Sequence, residues 1–117
     1  MLDQKAKDVG RLIGQSPEYQ AVKRANEALH NDRDAVTSLN RMETLRQDAQ
    51  RLIAQGKEPS EEMERELDDL LTKVQSSSAY QMAISAQENF DKLMMQVNGW
   101  ISEGMKTGAA SPIITLG

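Results

Sequence analysis

The stretch from Ser77 to Ile101 constrains this chain most. It has the spacing of one long helix, yet it is apolar on two sides. At about 100° per residue, Tyr80, Ala83, Ile84, Phe90, Met94, Val97 and Ile101 share one broad face. Met82, Ala86, Leu93 and Trp100 form a second facet, roughly a quarter to a third of a turn away. A helix on the surface of a small domain needs only one apolar stripe. Two stripes put this helix at the centre of a bundle or against another chain. Met82, Ala86, Leu93 and Trp100 are therefore the candidate interface residues.

The remainder of the chain also reads as helix. A first helix over about residues 2–14 carries the stripe Leu2, Ala6, Val9 and Ile13, with Leu12 alongside and Gly14 as its expected glycine stop. Ser16-Pro17-Glu18 is a start signal, combining a capping hydroxyl, a proline suited to the first turn and a carboxylate at the positive helix end. The helix it opens runs to about Leu29, and Asn31 or Asp32 caps the next one. That third helix, about residues 33–55, repeats apolar residues in steps of three and four (Val36, Leu39, Met42, Leu45, Ala49, Leu52). Gly56 ends it. Ser60 then caps a fourth helix over about residues 61–75, with the stripe Met63, Leu67, Leu70, Leu71 and Val74. The long helix is expected to fade at Gly99 or Gly104. Residues 1–103 then form one helical domain, and 104–117 a C-terminal tail, ordered only against a partner.

The chain partly matches itself at a shift of 61 residues. Ser16, Tyr19, Gln20, Ala25 and Glu27 fall on Ser77, Tyr80, Gln81, Ala86 and Glu88, and the stripe Leu2, Ala6, Val9, Ile13 falls on Met63, Leu67, Leu70, Val74. Any two amphipathic helices can be slid into register, so the identical polar and capping positions carry the match. Two copies of a short helix, a capped serine turn and a longer helix follow. The expected fold is an all-α antiparallel bundle of about five helices, two of them long, built on a duplicated hairpin.

Few side chains suggest chemistry. There is no cysteine, which removes thiolate nucleophiles and thiolate ligands. His30 is the only histidine and sits where a helix end favours a donor or cation. No Glu-x-x-His pair supports a carboxylate-bridged metal site. The acidic run Glu61, Glu62, Glu64, Glu66, Asp68 and Asp69 reads as a solvated helix face rather than a cation site. Gly99 and Gly104 have the spacing of a phosphate loop but are followed by Met105 instead of Lys-Ser or Lys-Thr. A net charge of −4 argues against a general nucleic-acid binder, although Lys5, Lys7, Arg11, Lys23, Arg24 and Arg33 gather in the first third. No apolar run approaches the roughly 20 residues of a membrane span. Of the seven methionines, Met42, Met63 and Met94 fit core stripes, whereas Met82, Met95 and Met105 lie at their edge, where methionine suits an adaptable binding surface.

Several local patterns taken together resemble the YlbF/YmcA family of small bacterial regulators. They are Ser16-x-Glu18-Tyr19, Lys23-x-Ala25, Asp32, the turn Gln55-Gly56-Lys57-Glu58-Pro59-Ser60, Val74-Gln75-Ser76 and Val97-Asn98, in order over residues 2–103. The resemblance implies an all-helical, self-associating protein. It also implies a link to a multiprotein complex that acts with the endoribonuclease RNase Y on mRNA processing, and so on competence, sporulation and biofilm formation. Members of that complex supply cysteines to iron–sulfur clusters; this chain has none, so cluster ligation does not carry over.

The reading is a cytoplasmic, non-enzymatic regulatory or adaptor protein. It is expected to form a homo-oligomer, a dimer in the simplest case, and to bind protein partners such as an RNA-processing complex or sister family members. No catalytic, cofactor-binding or metal-binding residues, small-molecule substrate, membrane or direct nucleic-acid contact is expected. The alternative is a helical chaperone or holdase with a methionine-rich client surface. A metal-dependent enzyme on the carboxylates of residues 61–69 and an RNA binder on the basic cluster rank below it.

Overall fold

The computed structural model describes the backbone of residues 1–116 and the side chains of residues 1–110. The chain is all-α. Five helices follow one another: α1 (Leu2–Gly14), α2 (Pro17–Asn31), α3 (Arg33–Ala54), α4 (Glu61–Gln75) and α5 (Ser78–Leu116).

Four starts are fixed by side chains that take up the free N–H groups of a first turn. Ser16 Oγ accepts from Tyr19 N at 3.1 Å, Asp32 Oδ1 from Ala35 N at 3.1 Å, Ser60 Oγ from Met63 N at 3.2 Å and Ser77 Oγ from Tyr80 N at 3.3 Å. α3 stops at Gly56, whose φ of 76° lies in the left-handed region that favours glycine. Lys57 N then reaches Leu52 O at 2.8 Å and Gly56 N reaches Ile53 O at 3.0 Å. α1 does not end by the expected glycine stop. Gly14 stays helical and Gln15 follows in the right-handed region. Its last carbonyls are taken up by the next turn instead: Ser16 N bonds Ile13 O at 3.0 Å and Gln20 Nε2 bonds Gly14 O at 2.9 Å.

α5 also departs from expectation. It does not fade at Gly99 or Gly104 but runs on to Leu116. An interior glycine weakens a helix by only about 1 kcal/mol and ends it only where the backbone turns left-handed or a cap intervenes. Neither glycine has a positive φ.

The duplicated hairpin is present down to its hydrogen bonds. Gln15 N on Arg11 O matches Ser76 N on Thr72 O, and Ser16 N on Ile13 O matches Ser77 N on Val74 O. Gln20 Nε2 on Gly14 O matches Gln81 Nε2 on Gln75 O at 2.7 Å. α1 therefore corresponds to α4, and α2 plus α3 correspond to the single helix α5. The principal packing is α2 on α5, where Ala25 and its counterpart Ala86 are both buried and the Tyr19 and Phe90 rings lie 5.7 Å apart. α3 on α4 comes next, closing over Leu45 and Val74. α1 has no buried residue.

The molecule is extended, at 70 × 37 × 20 Å with a radius of gyration of 21.7 Å. A compact chain of this length has a radius of gyration of about 13 Å.

Candidate interaction grooves

The two halves follow one pattern but end differently. At one end of the molecule, the α2–α3 break lets α3 fold back along α4. Asp32 makes that break and ties it down: one oxygen caps α3, and the other accepts from Ser77 Oγ at 2.9 Å, at the start of α5. These donors, Ala35 N–H first and the Ser77 hydroxyl second, hold the Asp32 carboxyl below the usual aspartate range. Farther along, Arg41 clamps α3 to α4 through both oxygens of Glu66, Nε to Oε1 at 2.7 Å and Nη2 to Oε2 at 3.2 Å. That pairing lowers the Glu66 pKa and raises that of Arg41.

At the other end, where α1 faces α5, each of these devices is missing. The repeat register puts Leu93 where Asp32 stands, so α5 has no cap at that point and runs straight. Ser16, the counterpart of Ser77, donates to Ile13 O at 2.6 Å instead. The clamp positions are Ser102 and Lys5, which cannot form the ion pair. α1 meets α2 near the turn but scarcely approaches α5. What remains between them is an open groove of about 380 Å³, lined by Val9, Leu12, Ile13 and Ser16 on one side and Leu93, Val97, Trp100 and Ile101 on the other. Apart from Ser16 every one of these side chains is apolar. Leu12 is 68% exposed, Trp100 60% and Ile101 50%.

A second groove, of about 640 Å³, lies beside the α2–α5 crossing. It is more polar: Met82, Ala21, Ala25 and Ala86 share it with Arg24, Gln81, Ser85 and Asn89.

The four candidate interface residues thus occupy one facet of α5 but meet different neighbours. Leu93 and Trp100 line the α1–α5 groove, Met82 borders the second groove, and Ala86 is covered by α2 within the chain. Leu12, Val9 and Ile13, which form the opposite wall of the first groove, were not among them. The repeat register alone marks Leu12, because its counterpart in α4 is Lys73.

The other sequence candidates are dispersed. Among the described residues, no group of three or more His, Asp or Glu side chains is arranged to hold a metal ion. Glu66 of the acidic run is engaged by Arg41, and Arg11 of the basic cluster by Asp8. His30 is exposed in the last turn of α2. Among the described residues, no helix is long and apolar enough to cross a membrane.

Comparison with known proteins returns one family, described as control of competence regulator ComK, YlbF/YmcA, matched over residues 2–106. Two curated relatives are each called only a UPF0342 protein. That of Limosilactobacillus reuteri (strain DSM 20016) is 24% identical over 97 residues, covering 83% of this chain and 79% of its own. That of Desulfitobacterium hafniense (strain Y51) is 26% identical over 102 residues, covering 87% and 78%. No solved structure gives a significant match.

Proposed function

The chain belongs to the YlbF/YmcA family, a regulatory rather than an enzyme family, and from that premise we propose a non-enzymatic adaptor that acts by assembling with itself and with other proteins. One observation carries the reading. The accessible surface is 9279 Å², whereas a folded monomer of this mass exposes about 6,300 Å². The molecule is extended, and its α1–α5 groove is apolar and open. An assembling protein needs such surface; a self-contained enzyme does not.

The place of action is the cytoplasm, in the control of mRNA processing that the family resemblance implies, with an RNase Y-type nuclease complex or sister family members as partners. A crosslinking pull-down of the tagged protein from its native extract, read by mass spectrometry, tests this, with Trp100→Ala as the control. Recovery of an RNA-processing nuclease or sister proteins by the wild type, and its loss in the variant, supports the adaptor. Recovery of the protein alone removes the link to RNA processing.

The holdase reading draws on the exposure of Met82, Met95 and Met105. It requires that the purified protein suppress aggregation of unrelated unfolded clients, which a specific adaptor does not do.

A further inference from the structure

We propose that Asp32 is a one-residue hinge, and that its two side-chain bonds are the latch that keeps α3 folded against α4. With the latch released, α2 and α3 become one straight helix, and the buried face between α3 and α4 is uncovered. The inference does not depend on what the α1–α5 groove binds.

The bend rests on one backbone rotation. Asp32 has φ −85° and ψ 94°. The φ already lies within the right-handed helical range, so turning ψ alone by about 135° makes the residue helical. Helical bonding is interrupted only briefly: Asp32 N reaches Leu29 O at 3.1 Å, and Val36 N reaches Asp32 O at 3.0 Å. A continuous helix gives the N–H groups of Arg33, Asp34 and Ala35 the carbonyls of Leu29, His30 and Asn31. Nothing in the sequence forbids it, because no proline or glycine lies between Pro17 and Gly56. α5 shows the straight form of the same unit. It is nearly as long as Pro17–Ala54 and stays unbroken although it contains Gly99 and Gly104.

Three ties hold the bend. The first is the latch: Asp32 Oδ1 accepts from Ala35 N, and Oδ2 accepts from Ser77 Oγ at 2.9 Å. The second is burial of Leu45 and Val74, one on each helix of the α3–α4 pair. The third, the Arg41–Glu66 pair, is weaker because it is exposed. α5 has none of them. Leu93 stands for Asp32, Lys106 for Leu45 and Ser102 for Arg41, so nothing rewards a bend there.

Release leaves the rest of the fold in place. The Ser77 turn does not need Asp32, because the matching Ser16 turn makes the same cap and backbone bonds with no acceptor across from it. α2 stays packed on α5. The connection of residues 55–60 reaches about 20 Å when extended, which gives α3 room to lift from α4. The molecule thus has one groove that is always open and a second apolar face that the latch keeps shut.

The chain lacks cysteine, so Lys23→Cys and Gln50→Cys, both at exposed positions, take a pair of spin labels. In one straight helix these positions stand about 40 Å apart. Labelled chain is diluted with unlabelled chain, so that only distances within a chain are read. The wild-type background should give a shorter distance. Adding Asp32→Leu, the residue of the straight repeat, should shift the distribution to about 40 Å with helical content by circular dichroism undiminished. The same distance in both proteins overturns the hinge. Asp32→Ser carries the test if leucine disturbs folding, for it retains one capping oxygen and lacks the one that takes Ser77. Backbone amides of α3 and α4 should exchange roughly fivefold faster in it, the equivalent of one lost hydrogen bond. Those around Ala25 in α2 and Ala86 in α5 should keep their wild-type rates. Unchanged exchange in α3 and α4, or equal acceleration in all four helices, overturns the latch.

Discussion

Val74 and Ile13 are counterparts in the repeat, and truncating each to alanine should give different results for a reason that lies in the structure. Val74, in α4, is 1% exposed. Val74→Ala removes two buried methyl groups at about 0.8 kcal/mol each and leaves a cavity, for a total of about 2–3 kcal/mol. In a domain of this size that lowers the melting temperature by about 10 °C. The loss occurs within one chain, so it should not depend on protein concentration. Ile13 is only half-buried in the open groove. Ile13→Ala should therefore cost a lone chain about 1 kcal/mol, and about 2.5 kcal/mol once a second copy covers the groove. Thermal unfolding followed by circular dichroism, at two concentrations roughly a hundredfold apart, separates the cases. The Ile13→Ala penalty should grow with concentration while the Val74→Ala penalty stays fixed. Equal penalties at the lower concentration would mean that α1 is already packed on its own α5, and would refute the account of an open half.

Three further outcomes follow from the closed half. Ser77→Ala removes both the α5 cap and the donor to Asp32, and should lower the urea midpoint by an amount equivalent to about 1–2 kcal/mol, more than Ser16→Ala, whose hydroxyl has no partner across the repeat. The Asp32 pKa is lowered in the folded state, so the stability it contributes is complete above the ordinary aspartate pKa and is lost as pH falls through the folded value. Wild type should therefore lose more stability than Asp32→Asn between about pH 5 and pH 3 in acid titrations of the unfolding midpoint. Arg41→Glu should speed hydrogen exchange in α4, and the swap Arg41→Glu with Glu66→Arg should restore protection if the pair is the clamp described here.

The helices were legible because their ends are written locally. Ser16, Asp32, Ser60 and Ser77 cap the helices that their positions announce, and Gly56 turns left-handed where a stop is needed. Gly14 does mark the end of α1, though without the left-handed turn, whereas Gly99 and Gly104 do not end α5. A glycine permits a stop but does not impose one, and the next cap or its absence decides. The candidate site was half legible. Helical periodicity put Leu93, Trp100 and Ala86 on one facet; Leu93 and Trp100 line the α1–α5 groove, whereas Ala86 is buried. Periodicity gives the direction of a side chain around a helix. It does not say which neighbour stands at each height along it. The opposite wall of the groove was missed because Leu12 looks like one more residue of an α1 stripe until it is set against Lys73.

The two halves differ in one local fact with long-range effect. An aspartate at position 32 can accept from a backbone N–H and from Ser77 together, and a helix can break and restart there. A leucine at position 93 offers no acceptor, so breaking α5 at that point would leave N–H groups unpaired, and the helix runs on. Once α5 is straight, its far half is carried away from α1, and the apolar residues on both helices face solvent. Adding Arg41 and Glu66 to the closed half deepens the difference, because Ser102 and Lys5 give the open half nothing equivalent. The α3–α4 pair, one helix from each copy of the repeat, thus closes within the chain, while the α1–α5 pair keeps exposed apolar surface. The α2–α5 crossing, the principal packing of the molecule, ties α5 to the rest of the chain, so that its exposed apolar face is presented from a packed helix rather than from a free one.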